Sequence, residues 1–261
     1  MLADLTAGAV EDAHTREAQV PLAVVEHDAA AAPPARDALA ALAPAGRVKV
    51  IAEVKRASPS RGDLAAIPDP ALQARRYEQG GASAISVLTE QRRFKGSLAD
   101  LTAVKAAVSL PVLRKDFIAT RYQVFEARAA GADMVLLIVA ALDQSTLRDL
   151  HELVTTLGMT ALVEAHSADE VARAVDVGAR VIGINARDLT TFELDRDLFG
   201  RLVERIPSGV VKIAESAVKT PSDVAHYRSA GADVVLIGEA LVTGDPVATL
   251  RSFLAPKEAT R

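Results

Sequence analysis

Ala130-Gly131-Ala132-Asp133-Met134-Val135-Leu136-Leu137-Ile138-Val139 sets the rhythm of this chain. A helical pattern stops at a glycine, and an apolar run follows at once. Glycine just past a helix end adopts the left-handed conformation without a Cβ clash. A near-continuous Met/Val/Leu/Ile run reads as a strand covered on both faces, as in a parallel sheet. The same junction recurs at Gly80-Gly81-Ala82, Val177-Gly178-Ala179 and Ala230-Gly231-Ala232, each time ahead of an apolar strand.

Extending this unit in both directions gives strands over 48–54, 83–88, 112–117, 134–139, 160–164, 181–185, 210–215 and 233–238. Amphipathic segments near 70–79, 97–108, 120–130, 143–157, 168–177, 195–206 and 221–230, and a last one after Asp245-Pro246, predict helices between and after them. Eight βα units in one chain predict an α/β fold, a closed (β/α)8 TIM barrel over residues 48–261. An open doubly wound sheet is the alternative, but no Gly-x-Gly-x-x-Gly follows the first strand. Residues 1–47 differ in texture. Leu2, Leu5, Ala9, Val10 and Ala13 share a helix face, a second helical piece runs from Leu22 to His27, and Asp37 to Leu42 reads as a third. Pro33-Pro34 separates the last two. The expectation is an N-terminal helical extension packed on the barrel, one domain overall.

Composition excludes several classes. A net charge of -4 gives no footprint for nucleic acid. The chain has no Cys, so it has neither disulfides nor thiolate chemistry, which fits a cytoplasmic protein. No apolar run approaches the ~20 residues that span a bilayer, and no signal peptide is indicated. His14, His27, His151, His166 and His226 lack metal-ligand spacing and read as ordinary surface or loop residues.

The polar residues are less ordinary. They gather at the C-terminal ends of strands, where period two decides which way they face. Ile51, Glu53 and Lys55 share a face, as do Leu113, Lys115 and Phe117; Leu162 and Glu164; Gly183 and Asn185; and Ile213 and Glu215. Closing the barrel brings Glu53, Lys55, Lys115, Glu164, Asn185 and Glu215 to one mouth, where barrel enzymes place their chemistry. Such charges perturb one another's pKa values. Ser216-Ala217 after strand seven and Gly238-Glu239 after strand eight lie where many barrels cradle a phosphate. Phe94, in Phe94-Lys95-Gly96-Ser97, and Phe117 are among few aromatics in the chain and offer a wall for an aromatic or apolar ligand portion.

At this point the motifs resemble those of the indole-3-glycerol-phosphate synthase family of tryptophan biosynthesis. They are residues 51–60 (IAEVKRASPS), 94–97 (FKGS), 113–117 (LRKDF), Val163-Glu164, 182–189 (IGINARDL), 214–216 (AES) and 236–239 (LIGE). The resemblance implies a carboxy-lyase acting on 1-(2-carboxyphenylamino)-1-deoxyribulose 5-phosphate, with ring closure and loss of CO2 and water, and with no metal or organic cofactor. It implies that Lys115 is the general acid toward the substrate carbonyl and that Lys55 holds the substrate carboxylate with Ser58 nearby. Glu164 would assist the dehydration; Glu53, Asn185 and Glu215 would orient the lysines and hydroxyls. Ser216, Ala217, Gly238 and Glu239 match the phosphate site. Phe94, Phe117, Leu136 and Leu189 match the aromatic pocket, and Arg187, beside Asp188 in the loop after strand six, would brace the site. The expected partner is this small phosphorylated substrate, acting on a monomer that associates at most with other enzymes of the pathway.

Two positions depart from the family pattern. Ala217 stands where Gly is usual, so a Cβ could hinder backbone approach to phosphate or a positive φ. Ala186 replaces a frequent Asn. Burial is expected to lower the pKa of one lysine toward neutrality. Two other functions compete. One is a sugar-phosphate aldolase or isomerase using Lys55 or Lys115 as an amine; the other is a non-catalytic barrel that binds phosphorylated ligands.

Overall fold

The computed structural model describes residues 1–188 and 193–255. Three helices precede the sheet: α1 (Leu2–Gln19), α2 (Leu22–Ala31) and α3 (Ala38–Leu42). Eight parallel strands then close into a barrel. They are β1 (Lys49–Val54), β2 (Ala84–Leu88), β3 (Val112–Lys115), β4 (Met134–Ile138), β5 (Thr160–Ala165), β6 (Val181–Asn185), β7 (Val211–Glu215) and β8 (Val234–Ile237). Each pairs with its sequence neighbours, and β8 pairs with β1 through Lys49–Val234 and Ile51–Leu236. Around them run α4 (Pro70–Gly80), α5 (Leu98–Ala107), α6 (Arg121–Ala129), α7 (Gln144–Thr156), α8 (Ala168–Asp176), α9 (Leu198–Leu202), α10 (Pro221–Ser229), the short α11 (Glu239–Val242) and α12 (Pro246–Leu254). This is the expected TIM barrel.

Strand parity divides the core in two. Val50, Ala52, Val54, Ile85, Val87, Val135, Leu137, Val163 and Ile182 face outward and pack against the helices. Ile51, Leu113, Met134, Leu136, Leu162, Ile213 and Leu236 fill the barrel interior. Leu2, Leu5 and Ala9 of α1, and Ala38 and Leu42 of α3, join this interior cluster, so the N-terminal helices bury part of the barrel's own apolar surface. The junction glycines do what the sequence requires of them: Gly81 and Gly131 sit at φ 98° and 93° directly after α4 and near the end of α6.

Polar contacts fix the extension. The backbone N–H of Arg36 donates to the fully buried Asp133 Oδ1 at 2.7 Å, and the Arg16 guanidinium donates to Glu126 at 2.9 Å. Glu126 also accepts from Arg114 Nη1 at 2.9 Å, while Arg114 Nη2 donates to Asp116 at 2.9 Å. Arg114 is wholly buried. Its paired charges therefore tie β3, the strand that presents Lys115, to α6 and through it to α1.

Three elements differ from expectation by more than one residue at a boundary. The second helix runs on to Ala31 rather than ending at His27. β3 stops at Lys115, because Asp116 turns back to accept the Phe117 N–H at 2.9 Å. The helix expected over 195–206 is only α9 followed by a 3-10 turn at Val203–Arg205; Pro207 forces Ile206 into an extended conformation with ψ 123°. No described helix is long and apolar enough to cross a membrane.

Candidate active site

The C-terminal ends of the strands surround one pocket, lined by Glu53, Lys55, Lys115, Glu164, Asn185 and Glu215 among others. β1 supplies a first ion pair, with Lys55 Nζ 2.6 Å from Glu53 Oε1. Glu53 is buried. Burial alone would raise its pKa, but Lys55 and Lys115 outweigh burial and hold it below the usual carboxylate range. Two glycines make room here. A Cβ on Gly238 would lie 2.5 Å from Glu53 Oε1 and 3.2 Å from Lys55 Nζ. A Cβ on Gly183 would lie 2.1 Å from Glu215 Oε1.

Lys115 is the centre of the second cluster. Its Nζ lies 3.2 Å from Glu215 Oε2 and 3.4 Å from Glu164 Oε2. Burial alone would lower its pKa, as the sequence reading expected for one lysine. Glu215, Glu164 and Glu53 together outweigh burial and raise it well above the ordinary lysine value. That expectation is therefore corrected for Lys115: it is a firmly held ammonium.

The two carboxylates facing Lys115 are not equivalent. For Glu164, burial is outweighed by Lys115, His166 and a hydrogen bond from Asn185, which hold it well below the usual range. Glu215 is raised to about 8 by burial, with the neighbouring Glu164 charge opposing its ionisation. Lys115 pulls the other way, but neither Glu215 oxygen accepts a well-aligned hydrogen bond among the described residues. This geometry makes Glu164 the carboxylate that ionises more readily and Glu215 the one that holds a proton more readily.

Asn185 organises the next strand end. Its Oδ1 accepts from Ser216 Oγ at 2.7 Å and from the Arg187 N–H at 3.0 Å, which leaves the amide N–H groups for Glu164. Ser216 and Ala217 hold φ values of 69° and 58°, so two consecutive residues with a Cβ occupy the left-handed region. Arg187, Ser216, Ala217, Gly238 and Glu239 line the same side of the pocket. The Glu239 carboxylate turns to Arg61, at 2.5 Å, from the loop after β1. The opposite side is apolar: Phe94 and Phe117, with ring centroids 6.1 Å apart, line the pocket with Leu136. Ser58 lines it from the loop after β1. Leu189, expected in the aromatic pocket, lies outside the described residues.

Leu5 and His166 are among the neighbours of the site that the sequence reading missed. Leu5 of α1 reaches the lining, although nothing in its helical spacing says where α1 docks. His166, read as an ordinary loop residue, is largely buried, with Nε2 3.3 Å from Glu164 Oε1. Its only signal was proximity, two residues beyond Glu164.

The left-handed Ala217 yields a direct expectation. A residue with a Cβ pays roughly 1–2 kcal/mol in this region, part of which glycine's unfolded-state entropy cancels. Ala217→Gly should therefore raise the melting temperature by roughly 1–3 °C and tighten binding of inorganic phosphate. Calorimetry checks both. A lower melting temperature would mean that packing of the Ala217 methyl outweighs the strain.

Comparison with known proteins places this geometry. The family model for indole-3-glycerol phosphate synthase matches residues 2–253. The indole-3-glycerol phosphate synthase of Leifsonia xyli subsp. xyli (strain CTCB07) is 73% identical over 253 residues, covering 97% of both chains. That of Beutenbergia cavernae is 59% identical over 256 residues, covering 98% of this chain and 95% of the relative. Among solved structures, the N-acetylmannosamine-6-phosphate 2-epimerase of Clostridium perfringens superposes with a TM-score of 0.60 at 18% identity, over 76% of this chain and 88% of its own; this shows the barrel fold alone. The barrel, its mouth and near full-length identity with curated relatives converge: the chain belongs to the indole-3-glycerol phosphate synthase family.

Proposed function

We propose that the mouth closes the indole ring of 1-(2-carboxyphenylamino)-1-deoxyribulose 5-phosphate, and that the residues divide the work as follows. The arrangement of Lys115 carries the reading: one buried ammonium faces two carboxylates of opposite protonation preference. Lys55, oriented by Glu53, meets the substrate carboxylate. Phe94, Phe117 and Leu136 hold the aromatic ring. Ser216 and the backbone at Ala217, Gly238 and Glu239 meet the phosphate, with Arg187 bracing that side.

The chemistry follows from those placements. Lys115 donates its proton to the keto oxygen as the ring carbon that bears the carboxylate attacks the keto carbon. Negative charge grows on that oxygen only in the transition state, so a fixed cation stabilises the transition state more than the bound substrate. Its neighbours keep Lys115 protonated until then. The new carbon–carbon bond breaks ring aromaticity, and loss of CO2 restores it. Loss of the former keto oxygen as water then requires one proton to reach the departing hydroxyl and another to leave the substrate. Glu164, ionised beside Lys115, is suited to take a proton in this step. A lysine held as a cation is poorly suited to form a Schiff base, which needs a free amine, so the aldolase reading loses support at Lys115.

The same reading treats residues 1–47 and 48–261 as one domain. It also treats the protein as a cytoplasmic monomer that binds neither nucleic acid nor membrane and acts on a small phosphorylated molecule. The test is direct. The full chain with the carboxyphenylamino-deoxyribulose phosphate should produce indole fluorescence without added cofactor. Binding of the substrate with no turnover would sink the reading and favour a ligand-binding barrel.

A further inference from the structure

Glu164 has two faces. Oε2 is turned toward Lys115, and Oε1 lies 3.3 Å from His166 Nε2. The imidazole is itself held from behind. Its Nδ1 lies 3.1 Å from Glu170 Oε2, and the same oxygen accepts the His166 backbone N–H at 2.8 Å. Glu170 is locked in the first turn of α8, where its N–H binds the Ser167 cap oxygen at 3.2 Å. A carboxylate that already accepts the backbone N–H fixes which ring nitrogen it holds: Nδ1 carries a proton toward Glu170, and Nε2 is left for Glu164. Nε2 is buried and makes no well-aligned hydrogen bond among the described residues, so its contact with Glu164 is an ion pair at 3.3 Å.

We propose that His166 is a positioning residue: anchored by Glu170, it holds the Oε1 side of Glu164 and leaves Oε2 to Lys115, fixing the carboxylate for proton transfer. The inference rests on the reading of Glu164 as the proton-transfer group. The surrounding charges agree with it. Burial would drive the imidazole neutral, but hydrogen bonding and charge from Glu164 and Glu170 outweigh burial and raise it to about 10. It is therefore an imidazolium at neutral pH, a cation on the side of Glu164 opposite Lys115. β4 and β6, which flank β5, place uncharged Ile138 and Gly183 beside Glu164. Arg173 of α8 points elsewhere, to the Leu142 carbonyl and the Gln144 side chain. The titratable groups bearing on this clamp are thus Glu164 and Glu170 directly, and Lys115 and Glu215 through Glu164. Removing the imidazolium removes charge that favours ionised Glu164, so the Glu164 pKa must rise.

The test is the pH profile of kcat, carried from pH 9 down to about pH 3.5 so that the limb of a carboxylate held below its usual range falls inside it, for the natural chain, His166→Gln, Glu170→Gln and Glu164→Gln. For His166→Gln the acid limb should move to higher pH by about 1–2 units, with kcat at pH 7 down on the order of tenfold and KM within about twofold. Glu170→Gln should move the limb the same way by a smaller amount, and it decides the matter if His166→Gln does not fold. An acid limb that stays in place overturns the clamp, even if kcat falls, because a purely structural histidine would lower activity without moving the limb. Glu164→Gln separates the two levels. If it loses activity while His166→Gln leaves the limb unmoved, only the clamp fails. If Glu164→Gln retains full kcat, the role of Glu164 fails and the clamp fails with it.

Discussion

Lys115→Met should reduce kcat by on the order of 10³-fold while leaving the barrel folded. The size follows from the site. Lys115 is the only cation placed between Glu164 and Glu215, at 3.4 and 3.2 Å, among the described residues. Methionine is one heavy atom shorter and fills most of the space, but offers neither charge nor proton. Circular dichroism should be unchanged, and indole formation measures the loss. The variant also makes a pH prediction. Lys115 is the largest of the influences that hold Glu164 ionised against burial, so the expected outcome of its loss is a Glu164 pKa above the unfolded value. A carboxyl with a raised folded pKa binds more protons folded than unfolded between the two values, so stability falls as pH rises through that window. Glu215, at about 8, already behaves this way. The stability gap between Lys115→Met and the natural chain should therefore widen from pH 5 toward pH 8, read from thermal melts at each pH. Activity retained in Lys115→Met would keep the family and remove Lys115 as the acid. A stability gap independent of pH would mean that Glu164 owes its ionisation to His166 and Asn185 instead.

How much of this was legible beforehand depended on whether a residue lay within a strand. Glu53, Lys115, Glu164, Asn185 and Glu215 sit at strand ends, where period two fixes direction, so their convergence follows once the strands close. The barrel itself was legible because four helix-to-strand junctions repeat the same Gly-Ala signal ahead of an apolar run. His166 lies just past the end of β5, where no periodicity says which way a side chain turns. Leu5 was hidden for another reason: amphipathicity says that α1 docks, but not over which end of the barrel. The charge state of Lys115 was misjudged because a list of residues does not count neighbours in space. Glu215, Glu164 and Glu53 all act on Lys115, and together they outweigh burial. Lastly, strand parity placed Gly183 on the inward face with Asn185, but it could not show that the missing Cβ makes space for the Glu215 carboxylate.

That missing Cβ supports the second large effect. Gly183→Ala should lower kcat by about 10²-fold, the scale on which displacements near 1 Å act in an active site, and destabilise the fold by roughly 1–3 kcal/mol. An added Cβ would stand 2.1 Å from Glu215 Oε1 and 3.1 Å from Leu162 Cδ1. Neither neighbour can retreat easily: Leu162 is fully buried in the barrel, and Glu215 is closed in by Lys115 and Glu164. The carboxylate must therefore swing, and Lys115 loses the partner at 3.2 Å. Gly238→Ala would act elsewhere, since its Cβ meets Glu53 and Lys55, so it should raise KM more than Gly183→Ala does. Gly46→Ala, where nothing lies within 4 Å, serves as the control and should change neither parameter. The decisive variant is a pair. Glu215→Asp withdraws the carboxylate by about one methylene, ~1.5 Å, and so relieves the clash that the new methyl creates. If the clash is the cause, Gly183→Ala with Glu215→Asp should be more active than the product of the two single losses predicts, a coupling that independent sites would not show. Simple multiplication of the two losses would mean that Gly183 acts through barrel packing alone, and that Glu215 does not depend on the space beside it.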